Sequence, residues 1–152
     1  FQSRFQGMRT ELYKALCEKL RSIGDGEIKH IDLWNRNVEF IEQEEAWERP
    51  AVFIEICPIT WEQTTGGKTQ RGTGLVKLHI VTDWKGSAAD GSSDQDAALA
   101  VFDYSEKIQK VIDGLAGEKF HALHLAETYT NHDHEEIVES VEVYRLRGVR
   151  HI

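Results

Sequence analysis

A glycine–lysine motif near the middle of the chain is the first place where chemistry could occur. Gly66-Gly-Lys-Thr69 resembles the end of the loop that cradles phosphates in nucleotide-binding proteins. The full motif requires a glycine at position 62, where this chain has glutamate, and a helix that begins directly after the lysine. A strand is predicted there instead. We therefore interpret the motif as the solvated tip of a hairpin and predict no cofactor.

The seven histidines prompt the question of a metal site. His121 and His124 are three residues apart on a predicted strand, so their side chains point to opposite faces. His132 and His134 flank an aspartate in a predicted turn, but a chelate there is incomplete without a ligand from another element. We favour a polar turn and predict no metal site, and we leave open whether His132 and His134 bind a metal.

A dense run of glutamates between residues 39 and 48 suggests paired carboxylates for acid–base catalysis. Catalytic carboxylates need burial or a charged neighbour that shifts their pKa. A run of this density is typical of a solvated surface or an electrostatic contact. No Ser-His-Asp or Cys-His arrangement is evident in the sequence either. We therefore predict that the protein is not an enzyme and has no catalytic residue.

The bulk composition sets limits on the class of protein. A chain of 152 residues suits one domain, and a net charge of −8 argues against a surface that grips phosphates. The sequence contains no apolar run long enough for a bilayer, we expect no signal peptide, and the two cysteines suggest a reducing compartment. Residues 1–7 resemble the remnant of a cleaved tag, so we assign the domain to 8–152.

The hydrophobic pattern predicts an α+β fold arranged around a long central hairpin. Alternating apolar residues predict strands at 51–57 and 75–84, joined by a polar, glycine-rich tip at 62–74. Helical spacing predicts helices at 10–23 and 94–115, with Leu99 and Phe102 on the apolar face of the second. Further strands are predicted at 28–34, 120–129 and 137–146, with an irregular acidic connection at 39–48. We expect an antiparallel sheet of about four to five strands with both helices on one face.

The connection at 39–48 is acidic, whereas the C-terminal end of the chain is basic. The last residues form a basic group, which is either an unpaired tail or a surface that meets the acidic connection of another copy. Opposed patches of this kind fix partner and register more than they add affinity. The candidate residues for contact with another copy or a partner are Glu42, Glu44, Glu45, Glu48, Lys68, Arg71, Arg145, Arg147 and Arg150.

The order of elements resembles that of the tail terminator, or tail completion, proteins of long-tailed bacteriophages and prophages. The matching segments are Glu-Leu-Tyr-Lys-Ala-Leu (11–16), Arg-Pro-Ala-Val-Phe-Ile-Glu-Ile (49–56), Leu-Val-Lys-Leu-His-Ile-Val-Thr-Asp-Trp (75–84), the helix at 94–115 and Val-Glu-Val-Tyr-Arg-Leu (141–146). The resemblance covers most of residues 8–148 and is one of layout. The long, acidic connection at 39–48 departs from it.

The resemblance implies a non-enzymatic structural protein that forms a homo-oligomeric ring, often a hexamer. Such a ring would cap the tail tube protein, meet the head connector protein and pass DNA through its lumen without specific binding or contact with a membrane. It would be found in the virion, and in the cytoplasm of the bacterial host during assembly. Two alternatives are a head–tail joining protein of related fold and a small α+β enzyme or ligand- or metal-binding domain.

Overall fold

The computed structural model describes residues 7–24, 26–35, 47–64, 66–83, 86, 88–131 and 137–151. The elements in chain order are α1 (Met8–Arg21), β1 (His30–Leu33), β2 (Ala51–Ile56), β3 (Thr60–Gln63), β4 (Thr69–Asp83), α2 (Gln95–Ala98), α3 (Ala100–Ile112), β5 (His124–Asn131) and β6 (Ile137–His151). The α+β class predicted from the sequence is confirmed. Within these ranges, no helix is both long and apolar enough to cross a membrane.

The six strands form a mixed sheet. Its order is β1-β2-β4-β6-β5, and β3 pairs with the first part of β4. The sheet was predicted to be antiparallel with about four to five strands, but it has six strands and β1 and β2 are parallel. Parallel neighbours need a crossover of about a dozen residues or more. The segment 34–50 has that length, so the chain can return to the end from which β1 began.

Helices α1 and α3 pack on one face of the sheet, as the sequence predicted. Leu12, Leu16 and Leu20 of α1 are buried in this core. The sheet contributes alternate residues of its central strands, and α3 contributes a narrower stripe; these residues are Val52, Ile54, Val76, Leu78, Ile80, Tyr144, Leu146, Val101, Ile108 and Ile112. Burial of each such side chain is worth about 1.5–3 kcal/mol, which is what holds two helices too short to be stable alone.

The other face of the sheet is also buried in part. Ala51, Phe53, Val81 and Ile137 form a second apolar cluster, against which two tryptophans pack. The alternation in 51–57 and 75–84 predicted one buried face, but Ala51–Ile54 are buried at every position. β2 is a central strand covered on both sides, and such strands carry continuous apolar runs rather than strict alternation.

The predicted helix at 94–115 is broken at Leu99. Leu99 has φ −90° and ψ 1° between α2 and α3, and this change rotates the residues that follow relative to one continuous helix. Leu99 and Phe102 are therefore exposed by 38% and 44%, which corrects their predicted place on the buried face. Val101 is buried instead. Ser105 occupies the next position of the stripe and donates a hydrogen bond to Ser140 at 3.2 Å.

The predicted tip at 62–74 is mostly strand. Residues 60–63 form β3, and β4 begins at Thr69, six residues before the predicted start. The C-terminal basic residues belong to β6, which continues to His151. An unpaired basic tail is therefore wrong for residues up to 151. Residues 62–74 contain no apolar side chain, but the first part of β4 pairs through its backbone with β3 on one side and with β6 on the other, which keeps these residues in the sheet.

Some predictions fall on residues outside the described ranges. These are the tag remnant apart from Gly7, the acidic connection from 39 to 46 and the turn with His132 and His134. Gly7 lies at the start of α1, where its carbonyl accepts a hydrogen bond from the Glu11 amide at 3.1 Å. The last strand pair begins later than predicted, with β5 at His124, while Phe120 makes a separate bridge to Gly148.

Candidate assembly surface

A three-stranded ribbon, here called the arm, extends from one end of the sheet. It consists of β3, residues 69–75 of β4 and residues 145–151 of β6. At about 3.3 Å per residue, the 15-residue β4 is roughly 50 Å long, and the arm takes up nearly its first half. Because β4 and β6 run without interruption from the core into the arm, the arm is an extension of the sheet and not a separate loop.

On one side of the arm, a contact between an arginine and a tryptophan ring joins the strands. The guanidinium carbon of Arg150 lies 4.2 Å from the centre of the Trp61 ring. Arg150 also donates two hydrogen bonds to the amide oxygen of Gln70, at 3.2 and 3.1 Å. These contacts tie β6, β4 and β3 together. The contact of Arg150 with a partner stays a prediction; within the subunit, its side chain holds the strands of the arm together.

Two glycines allow the chain to cross closely over this side. A Cβ on Gly72 would lie 2.8 Å from the Trp61 ring, and one on Gly74 would lie 2.9 Å from the carbonyl oxygen of Pro58. No larger residue fits at Gly74 unless the backbone at Pro58 moves. The spacing Gly72-Thr-Gly74 therefore brings the connection between β2 and β3 onto the arm.

The end of the arm is a polar turn that closes on itself. The amide and hydroxyl of Thr64 both donate to the carbonyl of Thr69, at 2.9 and 2.8 Å. Gly66 and Gly67 have φ of 98° and 73°, a conformation that favours glycine. The lysine of the phosphate-loop-like motif, Lys68, is exposed there and is followed by β4. No helix begins at this point, so the interpretation as a hairpin tip is confirmed.

The other side of the arm carries three arginines and, opposite Arg71, the exposed Glu62. Arg147 pairs with Thr73 and Arg145 pairs with Leu75. Since alternate residues of a strand share a face, Arg71 lies on this same side. The three arginines are exposed, and none makes an ion pair with another described residue. We call Arg71, Arg145 and Arg147 the basic face of the arm.

Lys77 continues the basic face toward the core. Its ammonium donates a hydrogen bond to the Tyr129 hydroxyl at 3.3 Å. This hydrogen bond raises the pKa of Lys77, so the lysine stays charged over the whole neutral range. The basic face therefore carries a fixed positive charge on a chain whose net charge is −8.

Among the acidic candidates, Glu48 belongs to the described residues and lies at the other end of the sheet. Glu48 is exposed and precedes Pro50, directly before β2. Arg49 is paired there with Asp83, the last residue of β4. Glu42, Glu44 and Glu45 fall outside the described residues. The structure thus brings Arg71, Arg145 and Arg147 together toward one end of β4, while Glu48 lies beside the other end.

A buried charged cluster was missed by the sequence analysis. His79 is 5% exposed, and its two ring nitrogens lie 2.7 Å from Glu55 and 2.6 Å from Glu139. The indole of Trp34 stacks on the imidazole at 3.8 Å with parallel planes. Asn131 donates a hydrogen bond to the second oxygen of Glu139 at 2.7 Å. With both ring nitrogens engaged by carboxylates, neither is left for a substrate.

Metal ligands are not clustered in the part of the chain that the structure describes. No group of three or more His, Cys, Asp or Glu side chains there could hold a metal ion. His124 lies 3.7 Å from Asp113, at the exposed start of β5. The two histidines that remained open, His132 and His134, lie outside the described residues.

Comparison with known proteins gives a likeness in structure and none in sequence. No model of a known protein family matches the chain, and no curated protein matches it. The fold is similar to a chain of the solved structure described as "Virion of native gene transfer agent (GTA) particle", with a TM-score of 0.53 and 12% sequence identity. The match covers 91% of this chain and 95% of that chain. The chain therefore shares its fold, over nearly its whole length, with a chain of that virion particle.

Proposed function

We propose that this protein is a structural component of a phage-like virion. The observation that carries the proposal is the structural match over 91% of this chain to a chain of a gene transfer agent virion. A fold by itself supports many functions. The basic face of the arm adds a second argument, because three exposed arginines that make no ion pair with another described residue suit contact with another protein.

Within the virion, we assign the protein the role of a tail terminator that acts as a homo-oligomeric ring. The basic face and Glu48 lie at opposite ends of the sheet. Different patches at opposite ends cannot meet inside one subunit, but they can meet between successive copies. Such head-to-tail contacts close into a ring when the rotation between copies permits.

The partners follow from this role. One surface of the ring contacts the tail tube protein and the opposite surface contacts the head connector protein. DNA passes through the lumen without specific binding, which the net charge of −8 favours because an acidic surface repels phosphates. The protein acts in the virion after assembly in the cytoplasm of the host.

The first experiment measures self-association. Native mass spectrometry and sedimentation velocity over a wide range of protein concentration should give one closed oligomer, and negative-stain electron microscopy should show rings. A variant with Arg145→Glu and Arg147→Glu should shift toward monomer, while Lys14→Glu on α1 serves as the matched control. A strict monomer at high concentration would count against the ring.

The second experiment tests the position in the particle. When the purified protein is added to a polymerising tail tube protein, a terminator stops elongation and gives short tubes. If the protein binds the head connector and leaves tube length unchanged, the role is head–tail joining instead. If it copurifies with stoichiometric metal or metabolite and binds neither partner, the small-molecule alternative replaces the virion role.

A further inference from the structure

An exposed apolar pair marks the corner between α2 and α3. Leu99 and Phe102 are exposed by 38% and 44%. The Phe102 amide donates to the Leu99 carbonyl at 3.0 Å, so the two residues lie one turn apart, on the same side of the helix start. We call this pair and its surroundings the corner. A large aromatic side chain left nearly half exposed beside an exposed leucine suits a contact surface.

A cavity lies beside the corner. Its volume is about 290 Å³, which accommodates one or two side chains and lies just below the range of small-molecule sites. It opens between the start of α3 and the end of β4, and its lining is Arg49, Pro50, Thr82, Asp83, Ala97, Ala100 and Tyr104. The corner is thus located at the end of the sheet opposite the arm.

The corner is strongly acidic. The segment from 88 to 106 contains no lysine or arginine, and its exposed carboxylates belong to Asp90, Asp94, Asp96, Asp103 and Glu106. Asp96 and Asp103 flank the apolar pair on α2 and α3. Glu48 lies at the same end of the sheet. An apolar centre with an acidic border therefore faces solvent here.

The basic face of the arm has the complementary pattern. Leu75 is 37% exposed and lies between Arg145, its cross-strand partner, and Thr73, the partner of Arg147. This face therefore has an apolar residue bordered by unpaired arginines. Leu75 and Asp83 are eight positions apart on the continuous strand β4, roughly 26 Å, so the basic face cannot fold back onto the corner of its own subunit.

We infer that the corner of one copy binds the basic face of the arm of the next copy. This inference rests on the proposed ring and names the surface that receives the arm. Leu75 packs on Leu99 and Phe102, and the arginines pair with Asp96 and Asp103. The opposite charges fix which ends meet and in which orientation. Because the two patches are different, the contact is heterologous and repeats from copy to copy.

The test uses the full chain and two kinds of variant. Leu99→Ser with Phe102→Ser removes the apolar centre, and Leu33→Ser is the matched control because Leu33 is 51% exposed at a different edge. Sedimentation equilibrium should show that association weakens at least about tenfold in the double variant, or by about 1.4 kcal/mol, and stays unchanged in the control. Thermal unfolding verifies that each variant is folded.

Reversal of the charges on the corner and on the basic face tests the same contact if the apolar variant fails to fold. Asp96→Arg with Asp103→Arg should weaken association, as should Arg145→Asp with Arg147→Asp. A mixture of the two should associate with each other. If rings form equally well in all corner variants, the corner is not the docking site although the ring stands. If the unaltered chain is a monomer at every concentration, the inference and the ring fail together.

Discussion

At the scale of single residues, the most constrained part of the molecule is the His79 cluster. Glu139 is only 1% exposed, and burial of a charge is tolerated only when it is paired and hydrogen-bonded. The imidazole of His79 lies between the carboxylates of Glu55 and Glu139, within hydrogen-bond distance of both. The indole of Trp34 stacks on the same imidazole. Through its contact with Trp34, which directly follows β1, the cluster holds this part of the chain against the second face of the sheet.

Removal of the imidazole should therefore be costly. His79→Ala removes a hydrogen-bond partner of Glu55 and of the buried Glu139, for which we expect a loss of about 1–3 kcal/mol in the free energy of unfolding. Urea denaturation followed by fluorescence and circular dichroism measures the loss. His121→Ala is the control, because that side chain is exposed. A loss below about 1 kcal/mol in His79→Ala would mean that the cluster does not stabilise the fold.

Removal of the Tyr144 hydroxyl should increase the stability of the fold. Tyr144 is fully buried, and its hydroxyl has no hydrogen-bond partner among the described residues. An unsatisfied buried polar group costs about 1–3 kcal/mol, so Tyr144→Phe should raise the unfolding free energy by about 1 kcal/mol. Tyr129→Phe should give no such gain, since that hydroxyl accepts a hydrogen bond from Lys77. The same denaturation measurement compares the two.

Stability should also decline at alkaline pH. Burial raises the pKa of the Cys17 and Cys57 thiols, and burial raises the pKa of Tyr13 to about 12 from an ordinary value of 10.0. The folded chain then keeps these protons at a pH where the unfolded chain loses them. The stabilisation is complete below the unfolded values and is lost as the pH rises toward 12.

Urea midpoints at a series of pH values between 8 and 11, all near the reference pKa values, measure this decline. In Tyr13→Phe the fall above pH 10, the ordinary value for tyrosine, should be shallower, while the fall caused by the thiols remains. A midpoint that is independent of pH over this range would contradict the prediction.

At the scale of the elements, the arm depends on the close approach at Gly74. A Cβ there would lie 2.9 Å from the Pro58 carbonyl oxygen and 3.3 Å from the Ile59 Cα. Since the obstacle is backbone, Gly74→Val should separate β3 from β4. Hydrogen exchange should become faster at the amides of β3 and stay slow in α1. Thr73→Val, at the neighbouring position on the opposite face, should leave the β3 amides protected from exchange. Equal protection in the two variants would show that the close approach at Gly74 is not needed for the arm.

The same elements show how far the sequence predicts the fold. Helix α1 and strand β2 were predicted within about two residues, because their apolar residues repeat with helical and strand periods. The arm was not, because its stability comes from backbone pairing between β4 and β6, segments about 75 residues apart that carry no apolar pattern. The break at Leu99 likewise has no glycine or proline to signal it.

The candidate site was predicted in part for the same reason. Arg71, Arg145 and Arg147 were identified by charge, but only the register of β4 against β6 shows that they share a face. The register also shows that Arg150 lies on the other face, against Trp61. The burial of His79 could have been predicted from its position opposite Phe53 in the predicted central hairpin. Its partner Glu139 could not, because that residue comes from a distant strand.

At the scale of the whole molecule, the separation of charge predicts that self-association depends on salt. Contacts between exposed charges are screened as the Debye length falls from about 10 Å at 0.1 M to 3 Å at 1 M salt. We expect the oligomer to dissociate at least about tenfold more readily over this range. Sedimentation equilibrium measures it. In Arg145→Gln with Arg147→Gln, the dependence should be much weaker; an equal dependence would place the responsible charges elsewhere.

The unbroken course of β4 and β6 from the core into the arm has a geometric consequence. Neighbouring strands are rotated by about 20–25° relative to each other, and there is no hinge between the arm and the core at which this rotation could change. In the proposed ring, each subunit would therefore present its arm to the next copy at a fixed angle. That angle would determine the curvature of the ring, so the number of copies would follow from the twist of two long strands.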